Sequence, residues 1–217
     1  MKQKRILALI LALLLALSLT SCKKEGGEDE TAQPEATPAP AATEQPSAQV
    51  SGEGGPISFV NLVSDSFGIT LRYPGSWANN PGLHTICYYD PNDTSGYRTR
   101  FALTVKTLRH TPDKEDVVEQ LKDYLEIISG DFEKKSFEVG DLDETATFMG
   151  QQKAFCTTYL AFYGKVEIKG YVIATVIERD MYVFHFTTSY KQYEGLEPIM
   201  ATVRDSIALI TPAATGE

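Results

Sequence analysis

The chain has 217 residues, a formal net charge of -9 and 42% hydrophobic residues. An acidic excess argues against a nucleic-acid binder, whose affinity rests on clustered Lys and Arg releasing counterions, and against adhesion to anionic lipid by charge. The apolar content is that of one globular domain.

Lys2, Lys4 and Arg5 form a basic start, and Ile6 to Leu19 an apolar run broken only by Ser18. This is the build of a secretory signal over 1–21, too short to span a bilayer comfortably, which takes roughly 20 apolar residues. Leu19-Thr20-Ser21-Cys22 closes the run and resembles the lipobox of bacterial lipoproteins, with cleavage between Ser21 and Cys22. The resemblance implies fatty acylation (diacylglyceryl, palmitate) of Cys22 as the new N-terminus. Two or three acyl chains hold a protein durably where one does not, so the mature protein is expected on the extracytoplasmic face of a bacterial cell membrane. Ordinary secretion or a retained N-terminal helix is the competing reading. Removing 1–21 takes away three basic residues and no acidic one, leaving -12.

From Cys22 to Pro56 the chain is mostly Glu, Ala, Pro, Thr, Gln, Ser and Gly, with Val50 its one large aliphatic residue. Such a stretch cannot bury enough apolar area to offset the entropy of ordering it. The expectation for 22–56 is a disordered tether that lifts a domain several nanometres off the membrane.

The domain is expected over 57–212, followed by a small polar tail at 213–217. Ile57 to Ser64 and Phe67 to Tyr73 read as strands, stopped by Pro74-Gly75. Ile86 to Tyr89 and Arg100 to Leu108 follow, joined through the turn residues Asp90-Pro91-Asn92-Asp93. A helix begins where Thr111 can cap, Pro112 takes the first helical position and Asp113, Glu115 and Asp116 favour the dipole. Val117, Val118, Leu121, Leu125 and Ile128 form its apolar stripe, and Gly130 is the expected left-handed terminator. Strands at 134–139, 145–149, 153–162, 166–178 and 181–188, with short turns between, predict an antiparallel meander. A last helix carries Leu196, Ile199, Met200, Val203, Ile207 and Ile210 along one side, with Pro198 in its first turn.

This order is that of an α+β domain, an antiparallel sheet covered by helices. Phe67-Gly68-Ile69-Thr70-Leu71-Arg72-Tyr73-Pro74-Gly75-Ser76-Trp77, the element order, and Tyr193 through Ser206-Ile207 resemble the PsbP-like (Mog1/PsbP-like) superfamily over 57–211. The resemblance implies an α/β/α sandwich whose known members work mostly by binding other proteins, envelope lipoproteins among them. It brings no shared catalytic motif.

Candidate binding residues are Trp77, at the Pro-Gly-Ser-Trp turn, and Tyr88, Tyr89 and Tyr97 around the following loop. An exposed Trp is a natural interface anchor, but Trp77 follows directly on a core strand, and packing over the sheet edge is favoured. His84, His110 and His185 show no metal-site spacing; strand alternation puts His185 opposite its aromatic neighbours, as a paired structural histidine. Asp90, Asn92, Asp93 and Gly96 are spaced like part of a calcium loop, yet Gly96 is displaced by one and the twelfth position is Phe101. Cys87 and Cys156 either pair as a disulfide or stay as buried thiols. Asp141, Asp143 and Glu144 read as a solvated turn rather than an acid/base pair. The sequence carries no nucleophile elbow, no phosphate loop and no cofactor motif.

The leading functional expectation is a membrane-anchored module that binds a protein partner, as an accessory or assembly factor of the cell envelope. The alternative is an envelope hydrolase or small-ligand-binding protein, whose mark would be a deep pocket holding His84 or His110 beside a carboxylate.

Overall fold

The computed structural model describes residues 50–52, 55–80, 82, 84–133 and 135–210. The leader at 1–21, Cys22 with its expected lipidation, most of the tether and the 213–217 tail lie outside them.

The described chain begins as an antiparallel pair, β1 (Val50–Gly52) and β2 (Gly55–Ile57), with Val50 opposite Ile57 and Gly52 opposite Gly55. Paired backbone is therefore present from Val50, within the stretch read as tether. Gly52 and Gly55 face each other as the last pair of this hairpin.

β3 (Phe59–Ser64) and β4 (Ile69–Pro74) form the next hairpin, whose turn holds Gly68 at φ +63°. That value is in the left-handed region, where glycine avoids the Cβ clash. The final strand, β13 (Ala208–Leu209), returns to the other edge of β4 and completes a three-stranded sheet.

The large sheet has eight strands in the order β5 (Ala78–Asn79), β6 (Thr85–Tyr89), β7 (Arg100–Thr107), β12 (Asp180–Ser189), β11 (Val166–Ile177), β10 (Gln151–Tyr163), β8 (Glu138–Val139), with β9 (Asp143–Phe148) also on β10. β9 to β12 each pair antiparallel with the next, which is the expected meander. The strand expected over 134–139 shrinks to two residues, because the outer edge of β10 is shared with β9. β12 lies in the middle, buried on both faces, and its parity splits the core. Tyr182, Phe184 and Phe186 join Trp77, Phe101, Ile199 and Val203 on one side, while Met181 and Val183 join Leu121, Leu125 and Val172 on the other.

Helix α1 (Lys114–Ser129) covers the second side through Val117, Leu121 and Leu125, as the stripe predicts. Its cap is Asp113, not Thr111. Asp113 Oδ1 accepts from the Asp116 N–H at 2.9 Å, and Asp116 Oδ2 accepts from the Asp113 N–H at 3.1 Å. That reciprocal box satisfies two end donors, which a lone Thr cannot do, and it leaves Pro112 before the helix. Gly130 is right-handed at φ -64°, ψ -18°, and its N–H closes the last turn on Ile127 and Ile128, so the expected left-handed terminator is not formed.

Helix α2 (Tyr190–Asp205) lies with the small sheet on the first side. It starts directly at the end of β12, so Pro198 falls in its interior rather than its first turn, and Ile207 and Ile210 lie beyond its end. The missing Pro N–H orphans the Glu194 carbonyl; both residues are exposed, and water can replace the donor. The whole is an α+β sandwich, α1 on one face of the large sheet and α2 with the small sheet on the other. Among the described residues no helix is long and apolar enough to cross a membrane.

Candidate functional site

Alternation along β6 and β7 decides where the candidate residues point. Ile86, Tyr88, Phe101 and Leu103 face the core shared with α2. Cys87, Tyr89, Arg100, Ala102 and Thr104 face the α1 side, where the helix does not reach the sheet edge and leaves a cleft. Its mouth, about 600 Å³, is lined by Tyr89, Tyr97, Arg98, Arg100, Asp131 and Tyr163. Its inner part, about 520 Å³, runs under α1 along Thr104, Tyr124, Ile127, Ile128, Met181 and Val183 to His185. Asn80, Cys87 and Arg100 line both parts as a common wall.

At the mouth, the Arg98 guanidinium lies 5.0 Å from the Tyr89 ring centre and that of Arg100 5.8 Å from Tyr97. Arg100 Nη2 donates to Asp131 Oδ2 at 3.3 Å. Tyr97 meets Tyr163 edge-on at 5.5 Å. The loop carrying Arg98 is pinned by Asp93, which accepts from the Ser95 N–H at 2.8 Å and from the Thr99 N–H and Oγ1 at 2.8 and 2.6 Å. Partial burial opposes the Asp93 charge, but the bonds from Thr99 and Ser95 outweigh it and hold the carboxyl below its ordinary range. Asp93 is thus the clasp of this loop.

At the inner end, His185 Nε2 pairs with the Tyr159 hydroxyl at 2.7 Å and Nδ1 with that of Tyr124 at 3.3 Å. Burial, with a smaller push from Arg100, takes the imidazole down to about 3, so it is neutral at physiological pH. Burial raises Tyr124 to about 12 and moves Tyr159 and the Cys87 thiol upward too, Arg100 only partly opposing the shift at Cys87. Cys87, Tyr124 and Tyr159 are thus held protonated, unlike an activated nucleophile, and His185, though unprotonated, is too weak a base to take up a proton near neutral pH.

The sequence candidates divide between the two faces. Tyr89 and Tyr97 do line the cleft. Trp77 and Tyr88 do not: Trp77 is 7% exposed, 5.9 Å from Phe101, and Tyr88 is 6% exposed, 4.0 Å from Tyr73. Both are core residues, which removes them as partner contacts; the packing reading of Trp77 is the one observed. Tyr97 is 8% exposed, and its buried hydroxyl accepts from Thr187 Oγ1 at 3.4 Å.

Cys87 and Cys156 are free thiols, so the disulfide alternative is corrected. Four strand steps separate β6 from β10, about 19 Å at the usual spacing, and Cys156 faces the α2 side while Cys87 faces the α1 side. A bridge needs Cα atoms within about 7 Å. Alkylation under denaturing, non-reducing conditions is expected to add one adduct at each; a mass without adducts would restore the disulfide.

His84 is exposed, and its carbonyl accepts from the Val105 N–H. His110 Nε2 lies 2.9 Å from Asp116 Oδ2, but its side chain is 70% exposed and this carboxylate closes the α1 cap. Neither histidine lines the cleft. Asp143, the first residue of β9, accepts from the Thr145 hydroxyl and N–H at 2.7 Å, which lowers its pKa; Asp141 and Glu144 are exposed and Lys114 pairs with Glu144, so the expected turn is in part a strand start, with its carboxylates in solvent or paired. Sequence reasoning missed Arg98, Arg100, Asp131, Tyr163 and the His185–Tyr124–Tyr159 set. The one local signal was Arg98-Thr99-Arg100, two cations flanking a small residue at a strand start in an acidic chain.

No family model matches the chain, and no curated protein matches it. Among solved structures, cyanobacterial PsbP (CyanoP) from Synechocystis is similar with a TM-score of 0.54 at 12% identity, over 74% of this chain and 97% of that one. A Bacteroides thetaiotaomicron protein gives 0.46 at 13% identity over 70% and 48% of the two chains. A Pseudomonas aeruginosa protein of unknown function gives 0.41 at 11% identity over 64% and 89%. The likeness to CyanoP, at that identity, is one of architecture: the chain has a PsbP-like α+β fold.

Proposed function

We propose that this protein is an extracytoplasmic lipoprotein, held on the cell membrane through Cys22, whose domain docks a protein partner as an accessory or assembly factor of the envelope. The observation that carries the docking role is the cleft itself. It presents guanidinium and tyrosine groups at an open mouth, while its titratable groups, His185, Cys87, Tyr124 and Tyr159, are held neutral by burial. Such a site recognises; its protonation states do not turn over near neutral pH. The basic start, apolar run and Leu19-Thr20-Ser21-Cys22 support the placement.

The anchor is tested by fractionation. The native protein is expected in the membrane fraction, released by detergent and not by salt, and Cys22→Ala is expected to move it to the soluble fraction; an unchanged distribution defeats the anchor. Crosslinking on intact cells tests the docking role, and recovery of no specific companion counts against it.

A further inference from the structure

Among the described residues, Arg98 makes no hydrogen bond, resting only on the Tyr89 ring at 5.0 Å. Arg100 makes one side-chain hydrogen bond, to Asp131 at 3.3 Å. A guanidinium carries five N–H donors in a fixed fork that matches a carboxylate. Two cations against one carboxylate leave the mouth with a local positive excess and donors to spare, on a chain whose net charge is -9. The inner part is different in kind: Ile127, Ile128, Met181 and Val183 make most of its surface apolar, with Lys106 and Asp123 as an opposite-charge pair of residues in the same lining, and Ile127 is 75% exposed.

Because the two parts share Asn80, Cys87 and Arg100, one ligand can place an anion on Arg100 and an apolar group under α1 a short distance apart. In an extended peptide, side chains of adjacent residues point to opposite sides, so an internal Asp or Glu beside an apolar residue fits this wall poorly. A chain-terminal residue fits it well, since its carboxylate and its side chain leave the same Cα. The carboxamide of Asn80 and the amide N–H groups of Gln120, whose oxygen already accepts from Lys106, can bond the preceding peptide unit, which the tail of a fatty acid would leave unused.

Resting on the docking function proposed above, we infer that the cleft captures the free C-terminus of a partner chain whose last side chain is apolar, with the terminal carboxylate on Arg100 and Arg98 and the side chain under α1. This is the carboxylate-capture mode of peptide recognition, built from two arginine side chains.

The test uses the full chain and a set of synthetic hexapeptides with varied last residues, each as free acid and as C-terminal amide, with dodecanoate alongside. Free acids ending in an apolar residue are expected to bind, and their amides at least tenfold more weakly. Arg100→Gln is expected to lose at least tenfold and Arg98→Gln severalfold. Ile127→Glu, at an exposed position where folding is not at stake, is expected to weaken apolar-ended peptides and carries the test if Arg100→Gln does not fold. Equal binding of acid and amide, indifference to these substitutions, or binding of dodecanoate with no peptide bound would each overturn the inference. If peptides fail while crosslinking in cells still captures a companion, the cleft inference falls and the docking function stands.

Discussion

Gly170→Ala is expected to lower the stability of the domain by about 2 to 6 kcal/mol, a large share of what a domain of this size possesses. In the β10/β11 ladder Gly170 lies opposite Tyr159, which is 1% exposed, and a Cβ on Gly170 would fall inside the Tyr159 ring. The ring cannot swing away, because Phe137 packs against it at 4.6 Å between centres and Phe132 at 5.8 Å. Overpacking of this kind costs about 1 to 3 kcal/mol. Displacing the Tyr159 hydroxyl would also strip His185 Nε2 of its 2.7 Å partner, and an unsatisfied buried group costs about 1 to 3 kcal/mol more. Urea unfolding checks this, with Gly195→Ala as the control. Gly195 lies in α2 with open space around it, so an Ala there is expected to raise stability by roughly 0.5 to 1 kcal/mol. A wild-type midpoint for Gly170→Ala would mean that the ring does not lie over the glycine.

Acid is expected to destabilise the domain through His185. In the unfolded chain an imidazole titrates near 6.5, whereas the folded protein holds His185 at about 3, through burial first and Arg100 second. Between those values the unfolded state carries the extra proton. Stability therefore falls as pH drops below about 6.5, and the loss is complete near 3. The shift corresponds to a loss of the order of 4 to 5 kcal/mol across the window. His185→Gln keeps a polar partner for Tyr159 but takes up no proton. Its urea midpoint should depend less steeply on pH between 6.5 and 4, while the Asp93 contribution, also lost on acidification, is common to both proteins and cancels. Parallel curves for the two proteins would show that His185 is not the neutral buried group described.

Much of this architecture was readable along the chain because its signals are local. The α1 stripe and the meander strands emerged from periodicity, and the placement of His185 opposite Phe184 and Phe186 followed from strand parity alone. Errors fell where two local solutions compete. Thr111-Pro112 and Asp113-Asp116 are both helix starts, and the reciprocal box won. The start of α2 was placed too late because no loop separates it from β12. The fate of Cys87 and Cys156 depended on sheet order, which no spacing encodes. The cleft was illegible for the same reason: its wall draws residues from 80 to 185, brought together by long-range pairing of β6, β7 and β12.

The small sheet ties the beginning of the domain to its end. β3 pairs with β4, β13 closes the far side of β4, the Arg72 N–H donates to Ser206 Oγ at 2.8 Å, and the Ile210 N–H donates to the Gly68 carbonyl at 2.8 Å. Neither β6 nor β7, which carry the arginine-lined mouth, pairs with this belt, so fraying at either end of the domain leaves the ladder that shapes the mouth intact.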